Sequence, residues 1–436
     1  MNHDHKPAPE MPEKEKFKSR LGIAGRIAKA FLTSKLTPLI VAASLVAGVF
    51  AVIVTPREED PQIHVPMIDV FVSYPGASAK EVENLVTKPM ERLIREIPEV
   101  EYVYSTSKPG QSLIIVRFYV GQDINKSLVT LYTKLMSNYD KIPPGVSQPL
   151  IKPKSINDVP VLVYNLWSDK YTSYELRRVA EGLADEIKKD QDVSEVTVTG
   201  GSPRQVRVEL DPARLKAFHL SVMTIAQAIR GSNFATPEGQ LENGNQSFRV
   251  EAGGFLETAA QAGGVVVGVS GGRPVYLKDV AAISDGPQEP SDYVFMGLGP
   301  SFNKKARLGG GLESIKPTAR LYDAVTISVA KKKGTNAALL AERLRSRIEA
   351  VKGRLIPDGV RINIARNYGA TAEQKSDELL EHMLIATISV TILVALALGW
   401  RESAVVAVAV PVTLSLTLLI NYLYGYTLNR VTLFAL

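Results

Sequence analysis

The sequence predicts a membrane α-helical protein that also carries a large α+β domain. Three observations predict it. Long uncharged apolar runs sit near the two ends of the 436 residues, while the middle reads as ordinary soluble sequence. Within that middle a strand–helix–strand order recurs, which suits helices packed on one face of a sheet. A segment of different, Gly-rich character interrupts the recurrence and reads as an inserted subdomain.

Residues 1–35 form a basic tail. Residues 1–19 are polar and charged, the composition of disorder. Leu21–Leu32 alternates apolar residues with Arg26 and Lys29. It reads as a short interfacial helix or as a plain extension of the span that follows. The run 36–56 has no charge and, at 21 residues, reaches about 31 Å as a helix, the thickness of a bilayer core. A signal peptide is the competing reading. Its apolar core is normally shorter and a small-residue cleavage site follows it, whereas Thr55-Pro56-Arg57-Glu58-Glu59 follows here, so a retained helix is expected. Residues 383–400 and 403–425 are two further spans, with Arg401-Glu402 as the tight turn between them. Pro411 lies inside the third span and predicts a kink rather than a break. Residues 431–436 open a fourth apolar stretch, which reads as the start of a truncated helix.

Lys14, Lys16, Lys18, Arg20, Arg26, Lys29 and Lys35 flank the first span on one side, and Arg57, Glu58, Glu59 and Asp60 on the other. The positive-inside rule then puts the N-terminus in the cytoplasm and residues 57–380 outside. The net charge of +6 is modest and no basic stripe interleaves with aromatics, so nucleic-acid binding is not expected. The absence of cysteine excludes disulfide scaffolds, thiol catalysis and Cys-based zinc sites.

In the soluble part, Met67–Tyr74 is a strand and Ser78-Ala79-Lys80-Glu81 a capping box. Val82, Leu85, Val86, Met90, Leu93, Ile94 and Ile97 then mark one apolar helical face, with Pro89 predicting a kink. Strands over Glu101–Ser107 and Ser112–Val120 and a helix over Ile124–Tyr139 follow. The order recurs with strand Val159–Trp167, capping box Thr172-Ser173-Tyr174-Glu175, a helix through Leu176, Ala180, Leu183 and Ile187, and strands Val193–Thr199 and Gln205–Leu210. Residues 97–103 resemble 191–196, which suggests a duplication. A third β-α-β pattern spans Asp323–Ala365. Residues 204–274 hold a short helix, Val222–Arg230, and an Asn243-Gly244 hairpin signal. Gly297–Lys316 reads as a flexible insertion.

This layout resembles the N-terminal half of resistance–nodulation–division efflux permeases, and the hydrophobe/amphiphile (multidrug) branch in particular. The residues that carry the resemblance are Val72-Ser73-Tyr74-Pro75-Gly76-Ala77-Ser78 with Glu81-Val82-Glu83 and Val86-Thr87-Lys88-Pro89-Met90-Glu91. Tyr102–Ser107, Val275–Ala281, Ala407–Val412 and Thr432-Leu433-Phe434 also match, over roughly residues 30–436. The resemblance implies transmembrane helices with porter subdomains at 61–155 and at 156–203 with 275–370, and a docking insertion at 204–274. It implies a bacterial inner-membrane protein with a large periplasmic domain. Its partners would be a second and third copy in a homotrimer, a periplasmic adaptor protein, an outer-membrane channel, membrane lipid and small amphiphilic substrates. No enzyme activity, cofactor or resident metal is implied.

The resemblance also implies proton-driven export through carboxylates of the fourth helix. The three complete spans contain no Asp, Glu, Lys or Arg in their cores, so the relay residues are expected beyond this chain. The chain then reads as a partial gene, a shortened product or a split half. Alignment with the family puts Val163, Thr199, Tyr293 and Phe295 on the wall of the substrate pocket, each with packing in its own sheet as the bland alternative. Heavy-metal export and a non-transporting membrane scaffold are the rival readings. His3 and His5 beside Asp4 belong to a solvated tail, and His382 to the membrane interface.

Overall fold

The structure, a computed structural model, describes residues 31, 34–59, 65–155, 158–299, 307–308 and 318–435. Leu21–Leu32 apart from Phe31, the His3–His5 tail and most of the Gly297–Lys316 insertion lie outside them. Two compact units emerge: Met1–Pro61 with Glu373–Leu436, and Gln62–Ala372.

Helices Thr37–Val54 and Trp400–Leu423 of the first unit, and Tyr368–Leu398, which belongs to it from Glu373 on, are long and apolar enough to cross a membrane. Leu39, Ile53, Leu396 and Trp400 are exposed, as lipid-facing side chains would be. The second helix starts well before the Met383 expected from hydropathy. Glu373, Lys375, Glu378 and Glu381 are good helix formers, so the helix continues beyond the apolar run. The turn between the second and third helices is not at Arg401-Glu402. It falls at Gly399, whose φ of +111° suits only glycine, and Arg401 and Glu402 sit in the first turn of the third helix. That helix continues through Pro411. A short helix, Arg430–Phe434, follows. Ala51, Leu418, Leu428 and Leu433 form the core of this unit, with Phe50 edge-on to Tyr422 at 6.0 Å.

The second unit contains β1 (Met67–Ser73), β2 (Val100–Lys108), β3 (Gln111–Phe118), β4 (Leu150–Lys154), β5 (Leu162–Trp167) and β6 (Val193–Thr199). It continues with β7 (Arg204–Leu210), β8 (Phe234–Asn243), β9 (Gln246–Gly254), β10 (Val266–Ser270), β11 (Arg273–Tyr276) and β12 (Ala281–Pro287). The last strands are β13 (Phe295–Leu298), β14 (Arg307–Leu308), β15 (Thr318–Lys331) and β16 (Arg361–Asn367).

The first sheet is antiparallel, in the order β2-β3-β1-β4. Helices cover the face formed by Ile68, Val70, Val72, Ile114, Val116 and Phe118. The first helix opens on the Ser78–Glu81 capping box and contains a π-helical turn, Glu83–Thr87, next to Pro89. There the Lys88 N–H donates to the Glu83 carbonyl, five residues back. The chain thus accommodates the proline, which has no N–H to give, by winding one wider turn.

In the second sheet β5 lies between β15 and β16, and β6 pairs with β15, giving the order β6-β15-β5-β16. This repeats the order of the first sheet. The β-α-β pattern after Asp323 is therefore not a third unit: β15, the helix Ala337–Ala350 and β16 complete the sheet begun by β5 and β6. The helices Ser173–Lys188 and Ala337–Ala350 cover one face, with Leu162, Tyr164, Leu166, Leu176, Leu183, Leu340 and Leu344 in the core. Burial pushes the Tyr164 phenol well above its usual range.

The insertion leaves and returns through β7 and β12, which pair from Arg204↔Pro287 to Leu210↔Ala281. Its core joins Leu215, Ile225 and Val267 to Val275, Leu277, Val280 and Ala281. The sequence boundary at 274 thus falls inside this core. The hairpin β8–β9 turns at Gly244-Asn245, with Asn243 opposite Gln246, one residue later than the Asn243-Gly244 signal.

Candidate functional site

Alternation along β5 decides what the second sheet offers on its open face. Leu162, Tyr164 and Leu166 point into the helix-covered core, so Val163, Asn165 and Trp167 point the other way. Cross-strand register extends the face: Val163 lies opposite Ser328, Asn165 opposite Thr326 and Trp167 opposite Ala324. On the far side of β15, Thr197 pairs with Ser328 and Thr199 with Thr326. Val196 and Val198 pack against the core, so Thr197 and Thr199 share the open face. Thr326 Oγ1 donates to Asn165 Oδ1 at 2.9 Å. The result is a floor of hydroxyl and amide groups around the half-buried Val163.

One end of this floor is aromatic. Trp167 is fully buried and packs with Met296, Leu298, Ala324 and the partly buried Val294 and Tyr322. Its ring centroid is 4.9 Å from that of Tyr322. The Arg361 guanidinium lies 4.9 Å over Trp167 and is held by Asp169 at 3.1 Å, while Arg320 lies 5.2 Å over Tyr322. The Trp167 indole N–H and Asn363 Oδ1 are buried without a hydrogen-bond partner among the described residues. Buried polar groups normally have one, so this enclosed corner holds unspent hydrogen-bonding capacity.

The four residues expected on the pocket wall do not converge. Val163 and Thr199 share the open face. Phe295 pairs with Asp323, and alternation sends it to the face opposite Met296 and Trp167. There it stacks on Tyr293 at 6.3 Å with rings within 10° of parallel, and both are exposed. Trp167, Tyr322 and Met296 were not anticipated. Trp167 was legible, since it follows Val163 and Asn165 at period two along β5.

Acidic side chains around this unit are held ionised by close partners. Asp190 lies below the usual carboxylate range because Arg343 donates to both its oxygens, at 3.0 and 3.1 Å, against the opposing effect of burial. Glu83 is pulled down to about 2 by hydrogen bonds from Lys88 and Lys80. Among the described residues no cluster of His, Cys, Asp or Glu is suited to hold a metal ion. The apolar stretches of the three long helices contain no Asp, Glu, Lys or Arg.

The chain matches the family described as AcrB/AcrD/AcrF over residues 27–299 and 305–436. It is 30% identical over 403 residues to the multidrug resistance protein MdtC of Yersinia enterocolitica serotype O:8 / biotype 1B, covering 92% of this chain and 37% of that protein. The MdtC proteins of Yersinia pseudotuberculosis serotype O:1b and Yersinia pestis bv. Antiqua (strain Angola) match with the same identity and coverage. The chain therefore spans little more than a third of the length of these curated relatives. It belongs to the AcrB/AcrD/AcrF family of resistance–nodulation–division permeases.

Proposed function

We propose that this chain is the N-terminal portion of a proton-driven permease that exports amphiphilic compounds across the bacterial inner membrane. The observation that carries this reading is the open face of the second sheet. It offers an aromatic, cation-flanked corner beside a polar floor, within a chain of this family that also has three bilayer-length helices. A surface that sets apolar side chains beside polar ones suits amphiphiles of varied shape. On this reading Val163 and Thr199 contact substrate on the open face, with Trp167 buried beside them as support, while Tyr293 and Phe295 stack on the other face, outside that contact. The proton-carrying groups belong to helices other than the three long ones, whose apolar cores have no ionisable carboxylate or amine.

We further propose that the permease works as a homotrimer, with its large domain in the periplasm, joined to a periplasmic adaptor and an outer-membrane channel. Residues 61–155 would line a central pore, 156–203 with 275–370 the substrate pocket, and 204–274 the docking end. The membership in the family supports this arrangement.

The test is export of a fluorescent amphiphile from pump-deficient cells expressing the full-length protein. Active efflux that collapses with the proton gradient, and falls on Val163→Phe at unchanged membrane level, is the expected result. Efflux indifferent to the proton gradient would sink the reading. So would failure of a membrane-impermeant thiol reagent to label Tyr293→Cys in intact cells with a permeabilised outer membrane.

A further inference from the structure

A polar cluster sits where the first membrane helix ends. Glu58 lies four residues beyond Val54 and is only 4% exposed. Its Oε2 accepts a hydrogen bond from Thr427 Oγ1 at 2.8 Å. The same Thr427 oxygen accepts from Asn429 Nδ2 at 3.2 Å. Asn429 is itself buried, and its Oδ1 accepts from the N–H groups of Val431 and Thr432, both at 3.0 Å, capping the helix Arg430–Phe434. Thr432 Oγ1 reaches back to the Thr427 carbonyl at 3.0 Å. The backbone reinforces the link. The Glu58 N–H donates to the Leu428 carbonyl at 3.0 Å, and the Leu428 N–H to the Pro56 carbonyl at 2.9 Å, so that Arg57 and Leu428 form a parallel bridge.

The directions of these bonds matter. The Asn429 amide has only donors on its nitrogen, so Thr427 must accept there and turn its single proton toward Glu58. One acceptor thus orients the hydroxyl, the hydroxyl orients the amide, and the amide oxygen is left aimed at the first-turn N–H groups. Apolar packing alone does not need a carboxylate here, because Leu428 and Leu433 already pack with Ala51 and Leu418. Enclosing a carboxylate is unfavourable unless its bonds do something that a leucine could not.

We propose that Glu58 is a positioning residue: acting through Thr427 and Asn429, it fixes the first turn of the fourth helix against the exit of the first. This goes beyond the export reading and does not depend on what is carried.

These 436 residues have no cysteine, so in a full-length protein whose remaining cysteines are replaced by serine a single reporter thiol can be introduced at Val431, which is exposed in that first turn. Its modification by a soluble maleimide is followed in membranes containing the full-length protein. Tyr293→Cys serves as a second reporter in the other unit. Glu58→Leu and Thr427→Val are each expected to raise the Val431→Cys rate about five-fold, the scale of a lost helix cap. The double substitution should do no more than either single one, because both break the same chain of bonds. Glu58→Gln should stay within about two-fold of the parent, since its amide oxygen still accepts from Thr427. An unchanged Val431→Cys rate in Glu58→Leu overturns the proposal. Equal acceleration at Tyr293→Cys, additive single effects, or Glu58→Gln behaving like Glu58→Leu would overturn it too.

Discussion

Gly48 of the first membrane helix approaches Ser415 of the third so closely that a Cβ built on the glycine would lie 2.3 Å from the serine Cβ. Ser44, Gly48 and Ala51 are the buried residues of that helix, a face of small side chains. In lipid, helices gain little from hiding apolar surface and are held by close packing. Gly48→Leu should force the pair apart at about 1–3 kcal/mol, the range for overpacking. The midpoint of thermal aggregation in detergent should fall accordingly. Ser415→Gly in the same chain should recover part of the loss of the milder Gly48→Ala, but not all, because the Ser415 Cα is itself only 2.7 Å from the added carbon.

A second prediction concerns the staple between the two halves of the second sheet unit. Arg343 donates to both oxygens of the buried Asp190 and to Asp192 Oδ2 at 2.5 Å. Arg343 is 44% exposed, so solvent screens much of the charge attraction, and Arg343→Ala should cost about 1–2 kcal/mol. Asp190 is held below its usual range, mainly by the Arg343 hydrogen bonds. Its contribution is therefore present above the ordinary carboxylate range, about pH 4, and is lost as pH falls through the lowered folded value. Urea midpoints read from Trp167 fluorescence in a Trp400→Phe background check both points. Parent and Arg343→Ala should differ at pH 7 and converge toward pH 2.

The β8–β9 hairpin gives a local test. Gly244 and Asn245 have φ of +58° and +61°, the pair of left-handed conformations that a two-residue hairpin turn demands. Gly244→Val should cost about 1–2 kcal/mol in the hairpin alone. The expected outcome is faster amide exchange and proteolysis between Phe234 and Gly254, with Trp167 fluorescence and its urea midpoint unchanged. A shift in that midpoint would show that the hairpin is not the independent element described.

Local signals in the sequence found many of these elements because they are decided by neighbours. Alternation set β6 at Val193–Thr199, and the Ser78–Glu81 and Thr172–Glu175 boxes form reciprocal caps. What local pattern could not supply is anything fixed by distant pairing. The side on which Phe295 falls depends on its register with Asp323, and that strand arrives only after the Gly297–Lys316 stretch. The return of β12 to β7, which draws Val275–Ala281 into the insertion's core, is likewise a long-range fact. Hydropathy marked where the chain enters lipid, but not where a helix of Glu and Lys begins outside it. The Gly399 turn is masked in the sequence by the charged pair Arg401-Glu402 beside it. Of the candidate site, the shared face of Val163 and Thr199 follows from alternation on two strands. The aromatic corner does not, since it is assembled from β5, β13 and β15.

That division between faces leads to the sharpest test of the proposed pocket. If substrate meets the open face, side chains there should govern export, and the Tyr293–Phe295 stack on the other face should govern it separately or not at all. Val163→Phe adds a ring to a floor bounded by Ser328, Thr197 and Asn165, and should exclude bulky amphiphiles first. Thr199→Phe places a second ring on the same face, beside Thr326. Each is expected to lower export of a bulky dye about ten-fold, equivalent to about 1.4 kcal/mol of lost binding. Val163→Phe should spare a small substrate, because only the large one needs the filled volume. Tyr293→Ala with Phe295→Ala removes an exposed stack and should leave the bulky dye's export within about two-fold, as surface changes away from a site do. The reverse pattern, with the stack essential and Val163→Phe silent, would move the pocket to the opposite face of the sheet.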